Sequence, residues 1–162
     1  MKTMKGNKVT VVGTPLQVGD KAPDFTLVDN DLETVTLNDF NEEYVLLSVV
    51  PSLDTSVCDF QTRNINEKLA SFENIKFLTV SMDLPFAQKR WCGSNGLDVT
   101  TLSDHRTGDF GKSYGALIDE LKLLARSIFL LDKDRKVVYV EYLDEMSNHP
   151  NYDALLEFIN TL

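Results

Sequence analysis

Apolar and polar residues along this chain follow two different periods, which predict strands and helices in turn. YVLLSVV at 44–50 is almost entirely apolar, as is typical of a strand covered on both faces. IKFLTVSM at 75–82 has the same character and predicts a second central strand. After the turn that follows the first strand, apolar side chains recur with helical spacing. Cys58, Ile65 and Leu69 then share one face, which predicts a helix.

Shorter elements complete the predicted pattern. Two brief strands flank the polar turn DND at 29–31, and SIFLLDKDRKVVYVEY predicts an antiparallel hairpin joined by a charged turn. Pro85 begins a second helix, PFAQKRWC, because proline is favoured at the first helical position. VTTLSD predicts a short strand, and GDFGKSYG predicts a helical turn. NYDALLEFINTL predicts an amphipathic helix at the end of the sequence.

The order of these elements predicts the fold class. Strands that alternate with helices, followed by a late hairpin, indicate an α/β fold with a central mixed sheet flanked by helices. KVTVV and the following GTPLQVGDKAP predict an opening hairpin and a turn. The chain has no internal repeat, low-complexity tract or linker. We therefore expect a single domain over 1–162, with an N-terminal hairpin extension over 1–18 and a core over 19–162.

Composition narrows the classes of partner. The chain has 162 residues, of which 43% are hydrophobic and 25% charged, and its net charge is −9. This acidic balance argues against nucleic acid or an anionic membrane as a main partner. The apolar run VTVV near the N-terminus is too short for a signal-peptide core, and no later run approaches the length of a membrane span. We expect a cytoplasmic protein, in which the two cysteines are normally kept reduced.

Cys58 lies where a nucleophilic thiol would benefit most from the backbone. It falls within the first turn of the predicted helix, which Thr55 or Ser56 would cap. The thiolate is the reactive form of cysteine, and a helix N-terminus favours an anion. Thr55 can place its hydroxyl beside the sulfur, while Pro51 fixes the backbone at the strand end and can shield the site. The alternative is an inert buried cysteine on the core face of the helix.

Several ordered motifs resemble one known family. PSLDTSVCDFQTR closely resembles the active-site segment of peroxiredoxins, within the thiol peroxidase branch of atypical two-cysteine enzymes. RWCGSNGLDVTTLSDHR is similar to the family's resolving-cysteine segment, and LARSIFLLDKDRKVVYVEY to the segment that carries its active-site arginine. Because the motifs match together over nearly the whole chain, the signal is more specific than any single short pattern. The resemblance implies a thioredoxin-like fold.

The resemblance also implies a role for each matching residue. Cys58 would attack a hydroperoxide and become a sulfenic acid, while Thr55 would bond the thiolate and the peroxide. Pro51 would limit solvent access, and Arg126 would stabilise the thiolate and the displaced oxygen. Cys92 would then form an intrachain disulfide with Cys58, which thioredoxin would reduce. The resemblance implies a homodimer and calls for no cofactor.

Simpler structural roles remain open from the residues alone. Cys92 could fill space beside Trp91, and Arg126 could pair with an acid at a strand edge. His105 and His149 are assigned to exposed turns. With the cysteines, they lack the compact spacing of a zinc site, so no metal is expected.

Three function classes remain open at this point. A peroxidase is favoured, and a dithiol–disulfide exchanger is weakened because the chain has no C-x-x-C motif. A third possibility is a non-catalytic module that binds a partner or senses peroxide without turnover. If the helices that carry the two cysteines are both intact in the reduced protein, one or both must partly unwind. This follows because a disulfide requires Cα atoms within about 7 Å of each other.

Overall fold

The computed structural model of this protein describes residues 1–96 and 99–162, which form an α/β fold. None of the helices in these two ranges is both long and apolar enough to cross a bilayer. The strands are β1 (Lys2–Met4), β2 (Asn7–Val9), β3 (Val11–Val12), β4 (Thr26–Val28), β5 (Thr34–Thr36), β6 (Tyr44–Val49), β7 (Ile75–Ser81), β8 (Thr100–Ser103), β9 (Leu117–Ile118), β10 (Leu123–Leu124), β11 (Ser127–Leu131) and β12 (Val137–Tyr142). The helices are α1 (Ser56–Leu69), α2 (Pro85–Asn95), α3 (Asp109–Ser113) and α4 (Tyr152–Ile159), and Leu37–Asp39 forms a 3₁₀ turn.

The main sheet is mixed and has seven strands in the order β12-β11-β6-β7-β8-β4-β5. β6, β7 and β8 run parallel, whereas β11 is antiparallel to both β6 and β12. The predicted late hairpin is therefore confirmed as β11–β12, and the two strands around the DND turn are confirmed as β4–β5. The predicted mixed sheet with flanking helices is confirmed as well. β6 is a central strand of this sheet, and its residues are nearly all apolar because both of its faces are buried.

The hydrophobic core lies on both faces of this sheet. Alternate residues of β6 enter opposite clusters, with Leu47 on one side and Leu46 on the other. α1 and α4 cover the face of Leu46, with Ile65 and Leu155 in the same cluster. Phe110 of α3 packs in the cluster on the opposite face. Because it is packed from both sides, β6 gives a rigid support to the loop that follows it.

The N-terminal hairpin begins earlier than KVTVV indicates. β1 pairs with β2 about a two-residue turn, in which Lys5 has φ 50° and Gly6 has φ 81°. Both positive angles fit the tight turns whose twist matches that of paired strands. β3 leaves the hairpin and joins a small sheet in the order β10-β9-β3, which the sequence pattern did not predict. Strands of two residues are too short to show a readable alternation.

Helix α2 extends beyond the end predicted near Cys92. It continues to Asn95, and Gly96 then adopts the left-handed conformation with φ 63° and ψ 26°. The backbone N–H of Gly96 donates to the carbonyl oxygen of Cys92, as at many glycine-terminated helices. Residues 97–98, which belong to the RWCGSNGLDVTTLSDHR segment, lie outside the described residues.

The two histidines lie in different surroundings. His149 is exposed, as predicted, whereas His105 lies on a turn but is half-buried, so its predicted exposure is wrong. His105 directly follows Asp104, a buried residue that accepts hydrogen bonds from the backbone of α3. This anchoring draws the turn toward the core, an effect of tertiary packing that local polarity does not reveal.

Candidate active site

Cys58 is positioned by the loop that connects β6 to α1. Pro51 is buried just after the strand, α1 begins at Ser56, and Cys58 is the third residue of the helix. The side chain of Cys58 has no exposed surface. Thr55 is the N-cap residue, as predicted, but its side chain makes no capping hydrogen bond. Its hydroxyl donates instead to the carbonyl oxygen of Ser52 at 3.0 Å.

The loop before Cys58 is held by a carboxylate from the next strand. Asp83 follows β7 and accepts hydrogen bonds from the Ser52 hydroxyl at 2.7 Å and the Leu53 N–H at 2.8 Å. The hydroxyl of Ser81 donates to the same carboxylate at 2.8 Å. Because the ends of parallel strands β6 and β7 meet at one edge of the sheet, a residue after β7 can fix the loop after β6. No motif in the sequence pointed to Asp83.

Arg126 brings its guanidinium to the sulfur of Cys58. Nη2 donates to Cys58 Sγ at 3.2 Å, Nη1 to Gln61 Oε1 at 2.8 Å, and Nε to the carbonyl oxygen of Met146 at 2.8 Å. The residue is only 2% exposed. In the described part of the chain, no carboxylate forms an ion pair with this arginine, so the strand-edge pairing left open above is not found there. A thiolate at Cys58 would provide the counter-charge that a buried cation requires.

Gln61 orients the arginine without neutralising it. Its amide nitrogen donates to the hydroxyl of Ser48 at 2.7 Å, which leaves the amide oxygen facing Arg126. Both Gln61 and Ser48 are fully buried. A neutral acceptor at this position satisfies the guanidinium donor but leaves its positive charge available to the sulfur. Gln61 lies on the same helical face as Cys58, so periodicity places it near the site, but its residue type gave no signal.

Tyr152 feels the charges of Cys58 and Arg126. Burial raises the pKa of Tyr152 to about 12, although the positive charge of Arg126 acts in the opposite direction. The phenol therefore stays protonated near neutral pH, and it hydrogen-bonds with His149 Nδ1 at 3.0 Å. Phe60 packs edge-to-face on His149 with ring centroids 5.0 Å apart, and it remains 48% exposed.

Cys92 lies next to a small apolar cluster that includes Cys58. Val50, Leu53, Cys58 and Trp91 form this cluster, and the half-buried Cys92 packs against it. The contacts of its sulfur are weak, at 3.9 Å to the Val99 carbonyl oxygen and 3.8 Å to the Thr101 hydroxyl. Both cysteines are free thiols, and the helices that carry them are intact. Packing beside Trp91 is thus present and is compatible with a redox role.

A polar network, here called the helix latch, joins α1 to the last turn of α2. It consists of Asp59, Arg63, Trp91 and Asn95. The Asp59 carboxylate accepts hydrogen bonds from Trp91 Nε1 and Arg63 Nε, each at 3.0 Å. Arg63 also donates to the side-chain oxygen of Asn95, and Asn95 Nδ2 donates to the Trp91 carbonyl oxygen at 2.7 Å. The latch therefore holds the helix that carries Cys92 against the helix that carries Cys58.

Comparison with known proteins identifies the family of this chain. The Redoxin family model matches residues 17–156. The chain belongs to the Redoxin family. It is 54% identical over 159 residues to a protein named thiol peroxidase from Oceanobacillus iheyensis, covering 98% of this chain and 97% of that protein. The resemblance to peroxiredoxins of the thiol peroxidase branch is thereby confirmed.

Solved structures support the same fold. A peroxiredoxin-like protein from Aquifex aeolicus superposes with a TM-score of 0.90 at 43% identity, over 99% of this chain and 95% of that one. A thiol peroxidase from Chromobacterium violaceum superposes with a TM-score of 0.92 at 26% identity and the same coverage. The predicted thioredoxin-like peroxiredoxin fold is therefore confirmed.

The structure brings together only some of the predicted site residues. Cys58 and Arg126 are in direct contact, and Pro51 is buried in the loop beside them. The hydroxyl of Thr55 has no hydrogen bond to Cys58 within the described residues, so its predicted role at the sulfur remains a prediction. Cys92 packs against the cluster that contains Cys58. Only the tertiary structure identifies four further parts of the site: Gln61, Met146, Asp83 and the helix latch.

Proposed function

We propose that this protein is a thiol peroxidase that reduces hydrogen peroxide and organic hydroperoxides to water and alcohols, with thioredoxin as its reductant. The observation that carries the proposal is the 3.2 Å contact between Arg126 Nη2 and the fully buried sulfur of Cys58. An arginine stays protonated and presents several donors in one plane, so it can stabilise both a thiolate and an adjacent oxygen. The relatives named thiol peroxidase support the same reaction.

In the first step, the thiolate of Cys58 attacks the terminal oxygen of the hydroperoxide. The weak O–O bond breaks, the sulfur becomes a sulfenic acid, and the displaced alkoxide or hydroxide takes up a proton. The Arg126 guanidinium stabilises the negative charge that develops on the leaving oxygen. Thr55 would hold the peroxide after turning its hydroxyl away from Ser52.

In the second step, Cys92 resolves the sulfenic acid. The sulfur of Cys92 attacks that of Cys58, the S–O bond breaks, and the oxygen leaves as water while an intrachain disulfide forms. α1 and α2 are both regular in the free-thiol state, so this step requires a local opening of at least one of them. A thioredoxin dithiol then reduces the disulfide by exchange, and both cysteines return to thiols.

The setting of this reaction is part of the proposal. We infer a cytoplasmic protein, because thioredoxin-dependent turnover requires a reducing compartment. We also infer a homodimer and treat the chain as one domain, with residues 1–18 as its hairpin extension. The half-exposed Phe60 is one apolar side chain that a second subunit could cover.

The test combines product mapping with turnover. Mass spectrometry after one equivalent of peroxide should find the Cys58–Cys92 disulfide, and a thioredoxin system should sustain peroxide consumption. One round of oxidation without turnover would indicate a sensor, and reduction of insulin without peroxidase activity would indicate a disulfide exchanger. Either result would contradict the proposed function.

A further inference from the structure

Met146 binds Arg126 at both ends of the arginine. The carbonyl oxygen of Met146 accepts from Arg126 Nε at 2.8 Å, and the Met146 sulfur accepts from the Arg126 backbone N–H at 3.1 Å. Met146 is itself only 1% exposed. Met146 and Gln61 therefore both hold the guanidinium whose Nη2 contacts Cys58.

The N-terminal hairpin in turn binds the segment that carries Met146. The backbone N–H of Met146 donates to the Thr3 carbonyl oxygen at 2.9 Å, and the Thr3 N–H donates to the Asp144 carbonyl oxygen at 2.8 Å. Lys2 Nζ donates to the Leu143 carbonyl oxygen at 3.0 Å. Val9 of the hairpin packs in the same apolar cluster as Met146. Segment 143–146 therefore lies between the hairpin and the arginine.

Glu145 provides the side-chain link between the two. Its carboxylate accepts from the hydroxyl of Thr3 and from the backbone N–H of Gly6. The hydrogen bond from Thr3 is the largest cause that lowers the pKa of Glu145, so this contact favours the ionised form of the side chain. These bonds join the β1–β2 hairpin to segment 143–146 at Glu145, the residue that directly precedes Met146.

We propose that hairpin β1–β2 positions the catalytic arginine, with Thr3 and Glu145 as positioning residues that act on Arg126 through Met146. The inference deepens the proposed function, because it assigns a role in the Cys58 reaction to residues far from the sulfur. A hairpin that only stabilised the fold would need no link to the arginine. Here the hydrogen bonds form an unbroken chain from Thr3 through Met146 and Arg126 to Cys58.

The experiment measures how fast Cys58 reacts in the full chain that carries Cys92→Ser, which leaves Cys58 as the only thiol. Glu145→Ala removes the side-chain link, whereas Thr3→Val and Glu145→Gln weaken it while keeping shape. Two rates are measured as a function of pH: oxidation by hydrogen peroxide and alkylation by iodoacetamide. We expect Glu145→Ala to slow oxidation about ten-fold. This is less than the roughly hundred-fold loss that about 1 Å of misplacement can cause in a reacting group. The two milder variants should have rates between those of Glu145→Ala and the parent.

Glu120 offers a matched control, because its carboxylate also binds a backbone N–H of the N-terminal segment. Its carboxylate accepts from the Thr10 N–H at 2.8 Å, and this bond is the main reason that its pKa is lowered. Glu120→Ala thus removes one negative charge and one N-terminal tether without touching segment 143–146. We expect this variant to react at the parent rate, even if its melting temperature falls.

A second control tests whether the effect passes through the arginine. In an Arg126→Lys background, the Nε contact to Met146 is absent. Glu145→Ala should then change neither rate by more than about two-fold, which is the behaviour of residues that share one interaction.

Parent-like rates in both Glu145→Ala and Thr3→Val would overturn the inference. An equal loss in Glu120→Ala, or an undiminished loss in the Arg126→Lys background, would also overturn it. If the unmutated protein is alkylated but not oxidised by peroxide, the proposed function fails, while the alkylation rates still decide the positioning role.

Discussion

The two cysteines lie in regions that the fold holds by different means. Cys58 has no exposed surface, and a buried arginine with three side-chain hydrogen bonds donates to its sulfur. Cys92 is half-buried, and its sulfur makes only distant polar contacts. Cys58 is thus fixed within the core, whereas Cys92 lies nearer the surface and is held by weaker contacts.

The helices that carry the two thiols show the same contrast. α1 packs into the sheet core through residues along its length, including Ile65 and Leu69. α2 is anchored at its first half by the buried Gln88, which donates to Ser81 and to the Leu102 carbonyl oxygen. Its last turn is held mainly by the helix latch. Partly exposed polar contacts contribute much less than buried packing, so the end of α2 is the part that can open at low cost.

Replacement of Cys58, the proposed nucleophile, should have the largest effect. Cys58→Ser should abolish peroxide consumption, because a serine hydroxyl stays protonated and cannot accept the oxygen as sulfur does. The measurement is the thioredoxin-coupled rate, with circular dichroism as the check on folding. Activity close to that of the unmodified protein would show that the reactive thiol lies elsewhere.

Replacement of Cys92 should separate the first oxidation from the recycling step. Cys92→Ser should leave the first oxidation of Cys58 at its normal rate but stop recycling by thioredoxin, because no intrachain disulfide can form. Stopped-flow fluorescence of Trp91, which packs in the same cluster as Cys58, follows the first step, and the coupled assay follows the second. Sustained turnover in this variant would rule out resolution by Cys92.

The contacts around Cys58 can be weakened while the positive charge beside its sulfur is kept. Arg126→Lys should slow the first oxidation by about a hundred-fold, since one fixed donor to a developing oxyanion is worth roughly that much. The lysine ammonium cannot reproduce the planar contacts to Gln61, Met146 and Cys58 together. Arg135→Lys is the matched control, because Arg135 also donates to backbone carbonyl oxygens but lies outside the site. Equal rates for both variants would argue against a geometric role.

The end of α2 can be loosened by removing the side-chain amide of Asn95. Asn95→Ala removes two contacts of the helix latch and should favour opening of the α2 end by about 1 kcal/mol, or roughly five-fold. Disulfide formation should then be faster, and overoxidation of Cys58 to sulfinic acid at high peroxide should fall. Hydrogen exchange should show greater opening after Gln88 and no change in α1. Slower disulfide formation would mean that the latch guides Cys92 instead of restraining it.

Much of the fold was predictable from local pattern. The apolar runs of β6 and β7 identified the central strands, and Pro85 marked the start of α2. The pattern failed where elements were short, as in β9 and β10, or where an end depended on a cap, as at Gly96. In each case the deciding contact comes from another part of the chain or from a backbone angle, and neither leaves a periodic signal.

The sequence alone determined where a reactive thiol could lie in this protein. A cysteine in the first turn of a helix that follows a buried strand is a local arrangement, and local arrangements can be read from residue order. The tertiary structure decided which groups surround the sulfur. Arg126, 68 residues from Cys58, reaches it because β11 and β6 pair in the sheet, and Gln61 and Met146 aim its donors. Contacts between distant residues depend on how strands pair and pack, and that information is spread over the whole chain.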